Sequence, residues 1–185
     1  MPRFDASSAR CDVLTFKEGL LSAVAHDLRI AVTTFAIDAD FDARTVTATF
    51  DARSLRVVTA LRDGVEAPET LSDRDRKQID KQIIEDVLAA NRHPEVRFTS
   101  KRVEPRGDGW EITGALTLHG QTRDVRVDVR RVGAELIAEA KLDQPEFGIR
   151  PFSAMLGALK VKREILIRVG ISVDQAPTLA FNASS

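Results

Sequence analysis

The chain has 185 residues, of which 43% are hydrophobic, and this length and composition suit one globular domain with a sizeable core. Its 27 basic and 28 acidic residues leave a formal charge of −1, so no net field attracts the protein to nucleic acid or to an anionic membrane. No stretch approaches the ~18–20 apolar residues that cross a bilayer as a helix, which argues against integral membrane association.

Residues 1–9 are expected to form an N-terminal arm. They contain no apolar run of the kind found in secretory signals, which predicts a cytoplasmic protein. Cys11 is the only cysteine in the sequence, so intramolecular disulfides and cysteine-rich zinc sites are excluded. It lies in a predicted strand without an adjacent histidine, and we interpret it as a packed thiol and not as a nucleophile.

Most of the chain alternates apolar and polar residues with period two, which is typical of strands that bury one face. In residues 45–53, for example, Val46, Ala48 and Phe50 share one face, while threonines and charged residues occupy the other. The pattern predicts eight strands, at about 10–18, 28–38, 45–53, 95–104, 110–118, 125–129, 135–143 and 161–173.

The short connections between these strands favour consecutive antiparallel pairing. Gly107-Asp108-Gly109, Gly120-Gln121 and Gly133 are turn signals, and the second fits a two-residue loop whose first residue is glycine. Strands in this order leave two long edges unless the sheet closes on itself. We therefore predict an all-β fold, an eight-stranded antiparallel β-barrel, in preference to a sandwich.

One inserted α-helix is predicted over about 72–90. Ser72 is the candidate N-cap with Asp75 at its third position, and apolar residues recur at helical spacing from Ile79 onward. The helix is expected to end near Asn91. Its other side carries both charge signs, which indicates a solvated face, with a surface for a partner as the alternative.

The three histidines, His26, His93 and His119, do not stand at a usual metal-binding spacing. We expect no metal site, no cofactor and no catalytic residue, with the imidazoles hydrogen-bonded or at the surface. Two alternatives stay open. The first is an enzyme for an apolar substrate that uses His26 and Asp27 as an acid–base pair, joined by His119. The second is an interaction module that docks through residues 72–90 and has a filled barrel.

Two motifs stand out in the second half of the chain: HPEVRFTS at residues 93–100 and GALTLHGQTR at residues 114–123. Further matching positions lie along the chain, at His26, Ser54, Leu55, Phe147, Gly148 and Ile149. Together these residues resemble the YceI-like family over roughly residues 10–174.

This resemblance implies a lipocalin-like antiparallel barrel whose long apolar tunnel holds a polyisoprenoid or similar lipid. It also implies a possible homodimer and no established catalytic residues. Residues 10–174 would be the single YceI-like β-barrel domain, and residues 175–185 a flexible C-terminal tail. Many family members carry a secretion signal, which we do not find in this sequence, and that leaves their periplasmic role in doubt for this chain.

A barrel of eight strands is about the size at which the interior is either filled or encloses one small ligand. Several inward positions are short, including Ala48, Ala138 and Ala140, which favours an open bore and an extended lipid over a compact metabolite. Alternation predicts the following lining residues: Phe50, Phe98, Trp110, Ile112, Leu116, Val127, Ile165, Ile167 and Val169, with Phe147 and Phe152 near an opening.

Arg163 is in step with Ile165 and would point into the bore if the last strand begins early enough. In that position its guanidinium could hold the polar end of a ligand. A bulge or a later strand start would turn it to solvent instead.

Overall fold

The computed structural model describes residues 2–18, 26–40, 43–154, 159–172 and 174. Most of these residues lie in strands. The strands are β1 (Arg3–Asp5), β2 (Ala9–Thr15), β3 (Lys17–Glu18), β4 (Asp27–Val32), β5 (Phe35–Asp40), β6 (Thr45–Asp51), β7 (Leu55–Arg62), β8 (Val65–Ala67), β9 (Glu95–Arg106), β10 (Gly109–Leu118), β11 (Gln121–Val132), β12 (Glu135–Asp143), β13 (Ser153–Ala154), β14 (Leu159–Val161) and β15 (Glu164–Ser172). The predicted tail, 175–185, lies outside the described residues.

Twelve of these strands form one sheet, in the order β1-β5-β6-β9-β10-β11-β12-β15-β2-β4-β7-β8. The predicted all-β class and antiparallel pairing are confirmed for the described strands. A second, smaller sheet has the order β13-β14-β3. The expected count of eight strands is not confirmed, since the order is open and has β1 and β8 at its ends.

Interruptions within the predicted strands explain much of the difference between the expected eight strands and the larger number observed. Thr33 and Thr34 separate β4 from β5, and the 3-10 turn Ala52–Ser54 separates β6 from β7. The hydroxyl of Ser54 accepts a hydrogen bond from the backbone N–H of Thr34 at 3.0 Å, so the two interruptions lie side by side. A single predicted strand, 28–38, therefore corresponds to two strands in the structure.

Several short or irregular strands were missing from the sequence prediction, among them β7 and β1. β7 has buried residues at both odd and even positions, Leu55 and Val57 as well as Ala60, because a register shift in its pairing with β4 leaves one extra residue between Val57 and Thr59. The extra residue places Ala60 on the same face as Val57 and interrupts the two-residue period by which strands are recognised. The predicted arm 1–9 also contains a strand, β1, in which Phe4 is only 2% exposed and belongs to the core.

The predicted helix is present as α1 (Asp73–Gln82) and continues as a π-helical turn, Ile83–Val87. Ser72 caps it: its hydroxyl accepts from the N–H of Asp75 and the Asp75 carboxylate accepts from the N–H of Ser72, the predicted capping box. The α-helical part thus ends about nine residues before the expected end at Asn91. α1 packs against β7.

The turn at Gly120 differs from the prediction in one position. Leu118 pairs with Gln121, so the loop residues are His119 and Gly120, with φ of 51° and 73°. A type I′ hairpin turn needs positive φ at both central residues, and glycine is favoured at the second. The glycine therefore comes second and not first.

Candidate functional site

A cavity of about 1050 Å³ lies against the inner face of the large sheet. Its wall contains most of the residues predicted from alternation: Phe50, Phe98, Trp110, Ile112, Leu116, Val127, Phe152, Ile165, Ile167 and Val169. The interior is therefore open, which contradicts the alternative of a filled barrel.

The wall is built by cross-strand partners that share the inner face. Trp110 pairs with Val129, Val129 with Ala138, Ala138 with Val169, and Val169 with Cys11. All five line the cavity. Directly opposite residues of an antiparallel pair lie on the same face of a sheet. When one side chain of such a row faces the cavity, its cross-strand partners therefore face it too.

Two predicted lining residues lie elsewhere. Phe147 is in a 3-10 turn, Gln144–Phe147, where strand alternation does not apply, and it is 1% exposed in the packed core without forming part of the cavity wall. Arg163 precedes β15 by one residue, and its guanidinium pairs with Asp143 at 2.5 Å between Nη2 and Oδ2. Its side chain is 68% exposed. The later strand start thus turns Arg163 to solvent.

The helix contributes one stripe of the wall, which the sequence analysis did not assign to the cavity. Asp75, Gln78, Ile79, Gln82 and Ile83 all line it, at spacings of three and four residues. Val87 and Leu88 continue the wall beyond α1. The apolar stripe was visible in the sequence, but nothing in the pattern showed that it faces an empty space.

Cys11 is also part of the wall and was not among the predicted lining residues. Its alternation with Val13, which lines the cavity too, was the available signal. The side chain is 3% exposed. Burial, together with the neighbouring charge of Asp12, raises the pKa of the Cys11 thiol to about 12. The thiol therefore stays protonated at neutral pH, which agrees with a packed side chain and not with a nucleophile.

The carboxylates in the wall already have partners on the protein. Asp40 accepts from the N–H of Ala43 at 2.8 Å. Asp51 forms an ion pair with Arg53 at 2.9 Å, and this hydrogen bond lowers the pKa of the Asp51 carboxyl. Hydrogen bonds from Ser72 likewise lower the pKa of the Asp75 carboxyl. These three carboxylates therefore stabilise turns and a helix cap of the fold.

Lys17, His26 and Lys160 line the cavity at one end, where β3 and β14 pair. Arg44 and Thr45 line it at the end where β6 begins. Between the two ends the wall is mainly aliphatic and aromatic. Such a space suits an extended apolar molecule with a polar group at an end.

The structure does not bring His119 together with His26 and Asp27. His26 lines the cavity, but the carboxylate of Asp27 accepts a hydrogen bond from the backbone N–H of Lys17 at 2.7 Å. His119 is outside the cavity wall. Its ring lies 4.8 Å from that of His93, and its Nδ1 is 3.2 Å from the carbonyl oxygen of Phe147. His119 thus belongs to the packing of a turn.

Within the described ranges, no three His, Cys, Asp or Glu side chains come together in a way that could hold a metal ion. In the same part of the chain, none of the helices has the length and apolarity to cross a membrane.

Comparison with solved structures shows the same fold in two proteins of low sequence identity. The crystal structure of Burkholderia cenocepacia BcnA matches with a TM-score of 0.60 and 18% identity, covering 90% of this chain and 97% of that one. A polyisoprenoid binding domain from Saccharophagus degradans, implicated in plant cell wall breakdown, matches with a TM-score of 0.52 and 8% identity, covering 92% and 97%.

Curated relatives match over shorter stretches. A UPF0312 protein of Pectobacterium atrosepticum is 44% identical over 46 residues, and protein YceI of Shigella flexneri is 31% identical over 122 residues. These matches span 24% and 61% of the relatives' own lengths and 25% and 60% of this chain. A family model described as the YceI-like domain matches residues 5–173, so the chain belongs to the YceI-like family.

Proposed function

We propose that this protein binds one long apolar lipid, a polyisoprenoid or an acyl chain, inside the cavity and sequesters or carries it without catalysing a reaction. The observation behind the proposal is the cavity itself. Its volume of about 1050 Å³ is at the upper end of the ~300–1,000 Å³ usual for small-molecule sites, and its wall is mainly apolar. A wall with few polar groups offers little to a compact polar metabolite.

Energetics favour a long chain over a short one. Each buried methylene contributes roughly 0.8 kcal/mol, so about ten of them contribute on the order of 8 kcal/mol before any cost is subtracted. Association itself costs about 4–15 kcal/mol. Retention of a lipid therefore requires a chain that occupies much of the cavity.

We propose in addition that the large sheet closes into an eight-stranded barrel. The support is that β1 pairs with β5 while β2 pairs with β4, and only residues 6–8 separate β1 from β2. The pairs β1–β5 and β2–β4, near the two ends of the strand order, thus join the same two stretches of chain. Counting β1 with β2, β4 with β5 and β6 with β7 as interrupted strands, and leaving β8 aside, gives eight, a size that can enclose one ligand.

The comparisons support this proposal at the level of fold. The Saccharophagus degradans neighbour is described as a polyisoprenoid binding domain, and it shares the architecture that forms the cavity. The cytoplasmic location and the homodimer remain predictions from the sequence analysis.

A matched pair of variants tests the proposal. Ala138 lines the cavity, whereas Ala115 lies on the outer face of β10, next to the inward residues Gly114 and Leu116. Delipidated wild type, Ala138→Phe and Ala115→Phe would be titrated with a long-chain isoprenoid alcohol, with circular dichroism as the check on folding. We expect wild type and Ala115→Phe to bind one molecule per chain and Ala138→Phe to lose most of the affinity. Equal binding by the two variants, or no uptake by wild type, would overturn the proposal.

A further inference from the structure

Gln144 brings a buried carboxamide into the wall of the apolar cavity. It is the first residue of the 3-10 turn that follows β12, and Leu142, two residues earlier, lines the cavity as well. The residue is only 7% exposed. The other buried polar residues of the described ranges, Asp12, Ser54 and Thr59, lie outside the cavity wall. Gln144 thus differs from the polar residues that reach the wall from exposed positions, such as Arg44 and Gln78.

The carboxamide of Gln144 is held in one orientation by the chain that leads into β15. Its Nε2 donates to the backbone carbonyl oxygens of Lys162, at 3.0 Å, and Arg163, at 3.3 Å. Both partners can only accept, so the NH₂ group and not the oxygen of the amide must face them. The backbone N–H of Gln144 donates to Arg163 as well, at 3.1 Å. Oε1 therefore lies on the side of the amide away from these two carbonyls.

Oε1 is the one polar atom of Gln144 without a hydrogen-bond partner among the described residues. The backbone carbonyl of Gln144 accepts from the N–H of Ile149 at 3.1 Å, and the two nitrogens donate as given above. Thr70, also in the wall, has an unpartnered hydroxyl that is sealed from any accessible space, whereas Oε1 of Gln144 is not sealed in this way. The accessible surface of Oε1 therefore opens toward the cavity that Gln144 borders.

An unpaired acceptor in this position selects among ligands. A lipid that fills the cavity displaces water from Oε1, and a head without a donor leaves the oxygen buried and unpaired, which is unfavourable. A hydroxyl replaces the lost hydrogen bond. Lys17 lines the cavity at the same end and pairs with Val161, the residue before Lys162, so repulsion between like charges disfavours an ammonium head.

We infer that Gln144 is a ligand-binding residue and that the ligand is a long-chain alcohol, whose hydroxyl donates a hydrogen bond to Oε1 of Gln144. The inference rests on the proposed function and adds the head group and its place in the cavity. It also sets the direction of the tail. Ala138 lies six residues before Gln144 on β12, in the row of cross-strand partners that contains Trp110. At about 3.3 Å per residue, the tail has roughly 20 Å to extend from Gln144 to this row.

The hydrogen bond is tested with two lipids that differ only in the donor. Geranylgeraniol and its methyl ether would be titrated into delipidated wild type, Gln144→Met and the control Gln82→Met, with circular dichroism as the check on folding. Gln82 is a partly exposed glutamine of the same cavity wall, on α1. We expect wild type and Gln82→Met to bind the alcohol about three- to tenfold more tightly than the ether. In Gln144→Met this preference should disappear.

The outcomes separate this inference from the proposed function. Equal binding of the alcohol and the ether by wild type would overturn the inference and leave the proposed function standing. So would a preference for the alcohol that persists in Gln144→Met, because the preference would then come from another part of the wall. Failure of wild type to bind either lipid would overturn both.

A measurement on wild type keeps the test valid if Gln144→Met does not fold. The ¹³Cδ resonance of the Gln144 carboxamide can be assigned through contacts of its Nε2 protons with Lys162. A hydrogen bond accepted by Oε1 moves this resonance downfield. We expect the shift on binding of geranylgeraniol and not on binding of the methyl ether. An unchanged resonance at saturation with the alcohol would contradict the inference.

The direction of the tail has an independent readout. Trp110 is the only tryptophan and the chain has no tyrosine, so its fluorescence reports one position. Octadecanol brominated at the methyl end should quench Trp110 more strongly than octadecanol brominated beside the hydroxyl, at equal occupancy. Stronger quenching by the bromine beside the hydroxyl would place the head away from Gln144 and overturn the inference.

Discussion

The carboxylate of Asp80 accepts a hydrogen bond from the backbone N–H of Val57, with 2.6 Å between Oδ1 and N. Asp80 lies on α1, and Val57 lies in β7, where β4 is the partner strand on one side and β8 reaches only Ala60–Arg62 on the other. The helix thus satisfies a strand N–H that has no strand partner there. This contact holds the stripe of α1 that lines the cavity against the sheet.

Replacing Asp80 by alanine should destabilise the fold by about 1–2 kcal/mol, since it leaves a partly buried N–H without its charged acceptor. Urea unfolding would measure the change, and hydrogen exchange should show faster exchange at Val57. Asp86→Ala is the control because Asp86 is exposed on the π-helical turn. Equal effects of the two substitutions would contradict the role given to Asp80.

Gly114 is required by the ring of Phe98. A Cβ at position 114 would lie 2.5 Å from the carbonyl oxygen of Thr99 and 2.6 Å from Cζ of Phe98, which is closer than such atoms can approach. Gly114→Ala should therefore cost about 2 kcal/mol and push the ring into the cavity, which shortens the longest chain that binds.

Gly170→Ala serves as the comparison for this position. A Cβ there would meet Nη2 of Arg10 at 3.4 Å, an ordinary contact, and the residue is also in a strand. Thermal unfolding and lipid titration of both variants give the measurement. Unchanged stability of Gly114→Ala would show that Phe98 does not occupy the space above Gly114.

Cys11 should react as a thiol enclosed in the cavity wall. Because burial raises its pKa to about 12, its alkylation by iodoacetamide should rise about tenfold per pH unit from pH ~7.5 to ~10 without levelling off. The unfolded chain should level off near the ordinary thiol pKa of ~8.5. A plateau near pH ~8.5 in the folded protein would mean that the thiolate forms outside the cavity. As the only cysteine, it makes the readout unambiguous.

Glu139 should make stability sensitive to acid. Partial burial works to raise its pKa, but hydrogen bonds from Arg130 and Arg168 outweigh burial and hold the pKa below the ordinary value. A carboxyl with a depressed folded pKa stabilises the fold above its unfolded pKa of ~4.3, and this contribution is lost as pH falls through the folded value.

Protonation of Glu139 is expected to lower the free energy of unfolding by only about 1 kcal/mol, because both arginines are near half exposed and their attraction to the carboxylate is screened. Urea unfolding of wild type and Glu139→Gln between pH ~6 and ~3 provides the measurement. Wild type should be the more stable at pH ~6, and the difference should narrow toward pH ~3. A stability difference between wild type and Glu139→Gln that does not vary with pH would contradict this role of Glu139. The exposed Glu69→Gln is the control.

The parts of the site that the sequence could predict are those governed by strand alternation. Phe98 and Ile112 face the cavity because period-two patterning in a one-sided sheet allows only one register. Phe147 and Arg163 could not be placed in this way, since one sits in a 3-10 turn and the other just before a strand begins. Their orientation depends on local hydrogen bonds that the pattern does not contain.

The sequence also could not reveal β7 or the cavity-facing side of the helix. Leu55 and Ala60 are both buried although they are five residues apart, because the register shift in the pairing with β4 breaks the two-residue period of β7. The helical stripe at Ile79 and Ile83 predicts burial, but the same stripe would pack on a filled core equally well. Only the structure distinguishes an open interior from a filled one.

Native mass spectrometry of protein purified from its host without detergent tests the central claim most directly. If the cavity holds one lipid chain, the spectrum should contain a species heavier than the bare chain by one lipid, which organic solvent removes. Ala138→Phe should lack that species and Ala115→Phe should retain it. Repeated spectra of wild type that show only the bare chain would contradict the account.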